Sequence, residues 1–270
     1  MAAVLEVELK FRAAAQVLAR VKALALHASQ PRLFVDRYFD VPDEYTLSRS
    51  DHWLRQRWSL GESASWELKS PPSRLPTPTE GTASAVDCYE ERTGLAALQK
   101  AARLLGVPAP EAPTAAPASV WPYGLLLTER TRFTLPPPQR EATDGNSALP
   151  VTEFGVDIDR VWFCQDQQVA WSDSDLLELT QSAAPDYAVG EVEIMLPGDG
   201  GVVSEQALLA SAEAKQLLRA FVAEQLEGDP DEGVPGKVLE YLRRYQPDHL
   251  RVLVSCGLIG QKLGADPTSA

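Results

Sequence analysis

The stretch Leu5-Glu6-Val7-Glu8-Leu9-Lys10-Phe11 decides how the rest of the chain is read. In a β-strand successive side chains point to opposite faces. Glu6, Glu8 and Lys10 then share one face, and Leu5, Val7, Leu9 and Phe11 share the other. Two acids two residues apart on a strand stand about 6–7 Å apart, close enough to share one hard cation. Taken alone, such a strand reads more simply as half-buried, with a solvated charged face. Whether other strands repeat the pattern decides between the two.

They do repeat it. Residues 34–40, 53–58, 66–69, 86–93, 125–133, 154–163 and 189–196 read as further strands, with turn-forming residues between them. Arg55 and Arg57 share a face with Trp53, Glu67 with Lys69, Glu91 with Tyr89, and Arg130 and Arg132 with Thr128. Asp157 pairs in this way with Asp159, Glu191 with Glu193, and Tyr38 with Asp36 and Asp40. The charges are also sorted by strand. Glu6, Glu8, Asp157, Asp159, Glu191 and Glu193 form an acidic set, and Arg55, Arg57, Lys69, Arg130 and Arg132 a basic one.

Closing the sheet into an antiparallel barrel turns both sets inward and leaves an apolar outer face for helices to cover. Helical patterns at 13–26, 94–105, 204–226 and from about 235 to 245 supply that cover, which makes the class α+β. An interior so charged is no structural core, because unpaired buried charge is very costly. It suits water, metal and a polyanion. Paired oxygen ligands favour Mg²⁺ or Mn²⁺, and Arg forks match phosphate oxygens bidentately.

At 270 residues the chain is read as one domain over 1–270, with loop insertions at about 71–84, 106–118, 136–150 and 165–185. Lys and Arg number 25 against 38 Asp and Glu, so the net charge is 25 − 38 = −13. That excess speaks against a nucleic-acid or anionic-membrane surface. Cys88, Cys164 and Cys256 are solitary, which speaks against a disulfide framework or a zinc site. No apolar run approaches the roughly 20 residues that span a bilayer, and no signal peptide opens the chain. The expectation is a cytoplasmic monomer acting on a small molecule.

ExExK at Glu6, Glu8 and Lys10 resembles the signature of the CYTH family, the triphosphate tunnel metalloenzymes. His52-Trp53-Leu54-Arg55-Gln56-Arg57, Trp66-Glu67-Leu68-Lys69, Gly190-Glu191-Val192-Glu193 and the run from Pro235 to Tyr245 extend the resemblance over most of the chain. It implies a closed eight-stranded antiparallel β-barrel with flanking helices and a C-terminal helix near the tunnel. It also implies Mg²⁺-dependent cleavage of the terminal phosphoanhydride of a small-molecule triphosphate. Carried over by motif, Lys10, Arg55, Arg57, Lys69, Arg130 and Lys237 would grip phosphates. Glu6, Glu8, Asp157, Glu191 and Glu193 would hold metal. Glu8, Lys10, Arg57 and Lys69 would form the catalytic centre. Tyr38 and Glu91 match further tunnel positions, and Trp53 would pack on the organic end of the substrate. An inorganic tripolyphosphatase, a nucleoside triphosphatase or a non-catalytic polyphosphate-binding barrel would use the same cavity.

Overall fold

The computed structural model describes residues 4–71, 87–113, 116–136, 151, 153–165, 172–197, 205–230 and 232–258. In chain order the elements are β1 (Val4–Arg12), α1 (Ala15–Leu24), β2 (His27–Ala28) and β3 (Arg32–Asp40). A 3-10 turn at Ser48–Ser50 leads to β4 (Trp53–Ser59), β5 (Ser65–Ser70), β6 (Asp87–Thr93) and α2 (Gly94–Leu105). Then come β7 (Trp121–Thr134), β8 (Glu153–Cys164), α3 (Asp173–Ser182) and β9 (Tyr187–Pro197). The chain ends with α4 (Glu205–Ala220), a π-helical turn at Phe221–Gln225, α5 (Lys237–Tyr245) and α6 (Pro247–Ser255).

The strands pair in the order β7-β3-β4-β5-β6-β1-β9-β8, and β8 returns to pair with β7. Every pairing in this ring is antiparallel, so it is a closed eight-stranded barrel. The two-residue β2 adds to β7 from outside. Closure leaves no free sheet edge in the ring and separates an inside from an outside face.

The outside face is apolar, as alternation from Leu5 onward requires, and the helices bury it. Val17 and Val21 of α1 and Ala214 and Leu218 of α4 pack on Val7, Leu9, Val192 and Ile194. Ala97, Leu98 and Ala101 of α2 cover Leu54, Trp66 and Leu68, and Leu176 of α3 covers Leu125, Leu127 and Trp162. The small residues of α2 let that helix approach the sheet closely.

Parts of the sequence reading fall differently. Residues 72–84 and 137–150, most of two expected insertions, lie outside the described residues, as do 114–115 and 166–171. The insertion placed at 165–185, open in sequence to part hairpin and part helix, holds a helix, α3, which Ser172 caps by a capping box with Asp175. The C-terminal α6 was not expected. The barrel interior is also not charged throughout. Leu126, Val161 and Phe163 line one end with Tyr38, and Leu239, Tyr241 and Leu242 of α5 fill it. Alternation alone cannot see this plug, because it comes from a helix distant in sequence.

Gly190 is paired with Phe11 across β9 and β1. A Cβ at Gly190 would stand 2.2 Å from carbons of the buried Phe11 ring, so the ring covers the glycine backbone. Gly190→Ala is therefore expected to cost about 1–3 kcal/mol through overpacking, roughly 2–12 °C in Tm. Thermal melts check this, and Phe11→Leu in the same chain should recover part of the loss.

Candidate active site

Alternation places the charged side chains of the ring inside the barrel, where they border one cavity of about 260 Å³. Its lining carries six cationic side chains, Lys10, Arg55, Arg57, Lys69, Arg130 and Lys237. Six carboxylates line it as well: Glu6, Glu8, Asp51, Glu91, Glu191 and Glu193. Tyr38 and Trp53 also line it, so the structure brings together every candidate residue except Asp157.

The two charge sets are interlocked. Lys10 donates to Glu8 at 2.6 Å, and Lys69 donates to Glu6 at 2.6 Å and to Glu8 at 3.5 Å. Arg55 donates to Glu67 at 2.8 Å, to Glu91 at 3.1 Å and to the Tyr38 hydroxyl at 3.4 Å. Arg57 gives a two-pronged pair of hydrogen bonds to Asp36, at 2.6 and 2.8 Å. Arg130 does the same to Asp159, both at 2.7 Å, and also reaches Glu191 at 2.8 Å. Lys237, the first residue of α5, binds Asp159 too.

Asp36 and Asp159 are the supports of this arrangement, and both are fully buried. Burial alone would raise their pKa values. For Asp36 the Arg57 and Arg55 guanidiniums outweigh it, and for Asp159 Arg130 and Lys237 do, so both stay well below the ordinary carboxylate range. The sequence reading set Asp36 beside Tyr38 and Asp159 beside Asp157 without giving either a place in the site. The cue was there: each is an acid on an inward face opposite an arginine strand. The register needed to pair Asp36 with Arg57, and Arg130 with Asp159, comes only from strand pairing.

The five acids expected to hold metal divide. Ligand oxygens of Glu6, Glu8 and Glu193 lie within 4.8 Å of one another. Asp157 and Glu191 turn instead to Arg130, at 2.6 and 2.8 Å. Burial pushes Glu193 up to about 8, helped by the nearby charges of Glu6 and Asp157 and opposed by Arg132 and Arg130. Glu6 is raised by burial and by Glu8, whereas Lys10 and Lys69 overcome burial to hold Glu8 well below the usual range. Three crowded carboxylates, two of them forced toward the neutral form, are a donor set that a divalent cation relieves. The residues fit a hard, oxygen-liganded ion such as Mg²⁺ or Mn²⁺.

Trp53, Val238, Leu239 and Leu258, which belong to one apolar cluster, give the same cavity an apolar side next to the charges. The arrangement can hold a chain of anionic groups beside a cation, with a less polar appendage at the apolar side.

A family model described as the CYTH domain matches residues 5–199. Human thiamine-triphosphatase is 27% identical over 256 residues, covering 92% of this chain and 89% of that protein. A solved Hippeastrum structure described as showing a dominant triphosphatase activity has a TM-score of 0.45 and 15% identity, covering 88% of this chain and 94% of that one. The Mimivirus capping enzyme triphosphatase has a TM-score of 0.37 and 12% identity, covering 83% of this chain and 89% of that one.

Removing one partner of a buried pair strands the other. Arg57→Ala should thus cost about 3 kcal/mol in denaturant unfolding, and adding Asp36→Asn to the same chain should restore most of it. Millimolar Mg²⁺ or Mn²⁺ should raise the Tm of the wild type, by the equivalent of about 2.7 kcal/mol at one hundred times the dissociation constant. Glu8→Gln should abolish that rise.

Proposed function

This chain belongs to the CYTH domain family, and from that premise we propose that it is a Mg²⁺-dependent hydrolase, with Mn²⁺ an alternative ion, that cleaves the terminal phosphoanhydride of thiamine triphosphate. The products are thiamine diphosphate and phosphate. The observation that carries this reading is one cavity in which the Glu6, Glu8 and Glu193 oxygens stand beside six cationic side chains.

Glu6, Glu8 and Glu193 would hold the divalent cation, which neutralises charge on phosphoryl oxygens when bound. Every other part of the reading concerns the chain's own groups. Arg57 and Arg130 line the cavity and are held in fixed planes by Asp36 and Asp159, so their charges stand at its wall before a ligand arrives. Lys10, Arg55, Lys69 and Lys237 add charge around the same space. Charge on a transferring phosphoryl group is spread over its outer oxygens, so catalysis consists mainly of positioning and neutralising them. Glu8, Lys10, Arg57 and Lys69 are the groups assigned to that centre.

With Glu6 and Glu193 pushed toward the neutral form, the six cations outweigh the ionised carboxylates of the lining, an excess that a polyanion offsets. The likeness to human thiamine-triphosphatase supports thiamine as the organic part. Thiamine carries two flat aromatic rings joined by a methylene, one of them a cationic thiazolium, and Trp53 on the apolar side offers a ring face a stacking or cation–π partner.

Phosphate release from thiamine triphosphate, tripolyphosphate and ATP, measured side by side with Mg²⁺ and with EDTA, tests the reading. Thiamine triphosphate should show the highest kcat/KM, and EDTA should abolish turnover. A higher value for tripolyphosphate or ATP would assign the cavity to that substrate, and binding without release would make it a polyphosphate sensor. Glu8→Gln should lower turnover about 10²–10³-fold, with far-UV circular dichroism unchanged.

A further inference from the structure

We propose that Asp51 is a positioning residue that fixes Trp53 and Tyr89 as one aromatic platform in the cavity, and thereby sets the preference for a triphosphate with an organic tail over a bare one. This rests on the hydrolase reading above and deepens it.

A single oxygen, Asp51 Oδ1, accepts from the Trp53 indole Nε1–H at 2.9 Å and from the Tyr89 hydroxyl at 3.0 Å. Trp53 lies on β4 and Tyr89 on β6, with β5 between them, so this oxygen ties together two strands that do not pair. All three residues line the cavity. Tyr89 is level with Glu6 of the carboxylate group, and Trp53 with Lys69, whose ammonium lies 5.8 Å from the Tyr89 ring. The platform therefore adjoins the phosphate-binding charges.

Asp51 is itself held in place. It ends the 3-10 turn in a left-handed conformation, φ 58° and ψ 33°, which Asp tolerates better than most residues. The turn is pinned by the buried Asp40, which accepts from the backbone N–H groups of Leu47 and Ser48 at 2.9 and 2.8 Å. The Ser48 hydroxyl donates to Asp40 at 2.6 Å and shares a hydrogen bond with His249 Nε2 of α6 at 2.8 Å. Tyr45 stacks on the His249 ring at 3.8 Å. A carboxylate presented from so anchored a turn holds the polar ends of two rings from different strands at one point. Both donors use one oxygen, so an asparagine carbonyl can replace it.

The test uses Asp51→Gly, which removes the carboxylate without setting a Cβ at positive φ, and Asp51→Asn, which keeps the acceptor. Thiamine triphosphate and tripolyphosphate are compared by KM, or by Ki against tripolyphosphate for an organic triphosphate that is not turned over. In Asp51→Gly the preference for thiamine triphosphate over tripolyphosphate should fall about ten-fold, the scale of one stacking contact, through KM rather than kcat. Asp51→Asn should restore it to within about two-fold. In a Trp53→Ala background Asp51→Gly should change the preference no further, since one residue acts through the other. Equal shifts for both substrates in Asp51→Gly, no rescue by Asn, or additive effects with Trp53→Ala would each overturn the proposal. A wild type that prefers tripolyphosphate would overturn the thiamine reading instead, because the change in preference at Asp51 is still measured.

Discussion

A guanidinium inside a closed barrel is stable only beside a carboxylate that stays ionised with it, and two such pairs support this molecule. Asp36 with Arg57 and Asp159 with Arg130 are bidentate and lie at the wall of the cavity. Low exposure strengthens the attraction within each pair and raises the cost of losing either member. The pairs therefore fix where two arginines stand before any ligand arrives. That is the kind of pre-organisation that electrostatic catalysis requires.

The contacts around the cavity are not equally buried. The Glu91 side chain, which meets Arg55, is 33% exposed, whereas that of Asp36 is 1% exposed. Water reaches Glu91 and does not reach Asp36, so the Arg55–Glu91 contact is the one that costs least to exchange. The same ion pairs explain why the acids of the barrel do not all stand in one group. Asp157 and Glu191 are committed to Arg130, and Glu6, Glu8 and Glu193 are left crowded together.

Much of this was legible in the chain. Alternation from Leu5 to Phe11 gave the inward face of β1, and the same rule gave the charged faces of β4, β5, β7, β8 and β9. The eight strands of the ring were all read as strands, because a half-apolar, half-charged alternation is hard to mistake for a helix. Pairing was not legible. Which acid meets which arginine depends on register between strands as distant as β3 and β7, and alternation within one strand carries no information about it. Asp36 was passed over for that reason, since its arginine stands on another strand, and the contact of Asp51 with Tyr89 of β6 is hidden in the same way. The two-residue β2 is too short to show a period. Helix α6 follows α5 after the single residue Gln246, with Pro247 opening it, and Pro reads as a stop as readily as a start.

The start of α5 shows how the apolar plug and the charged cavity are one construction. Gly236 precedes it with no side-chain cap, and Lys237 opens it. A lysine in the first turn opposes the helix dipole, so this is a poor beginning for an isolated helix. Its context supplies the compensation. Lys237 is bound by the buried Asp159, and Tyr241 and Leu242 seat the rest of the helix in the barrel end. Tyr241 fits there because residue 124 is glycine: a Cβ at that position would stand 3.2 Å from the Tyr241 ring. At the start of the helix a Cβ on Gly236 would stand 2.9 Å from Lys10 Cε, the mobile end of a lysine side chain, so the helix start lies directly against the inward face of the first strand. Apolar packing of the plug and the ion pair with Asp159 thus act together to hold a cation and a helix N-terminus close to Lys10 and Arg130. The positive charge at this end of the cavity is sustained in part by hydrophobic burial one turn further along α5.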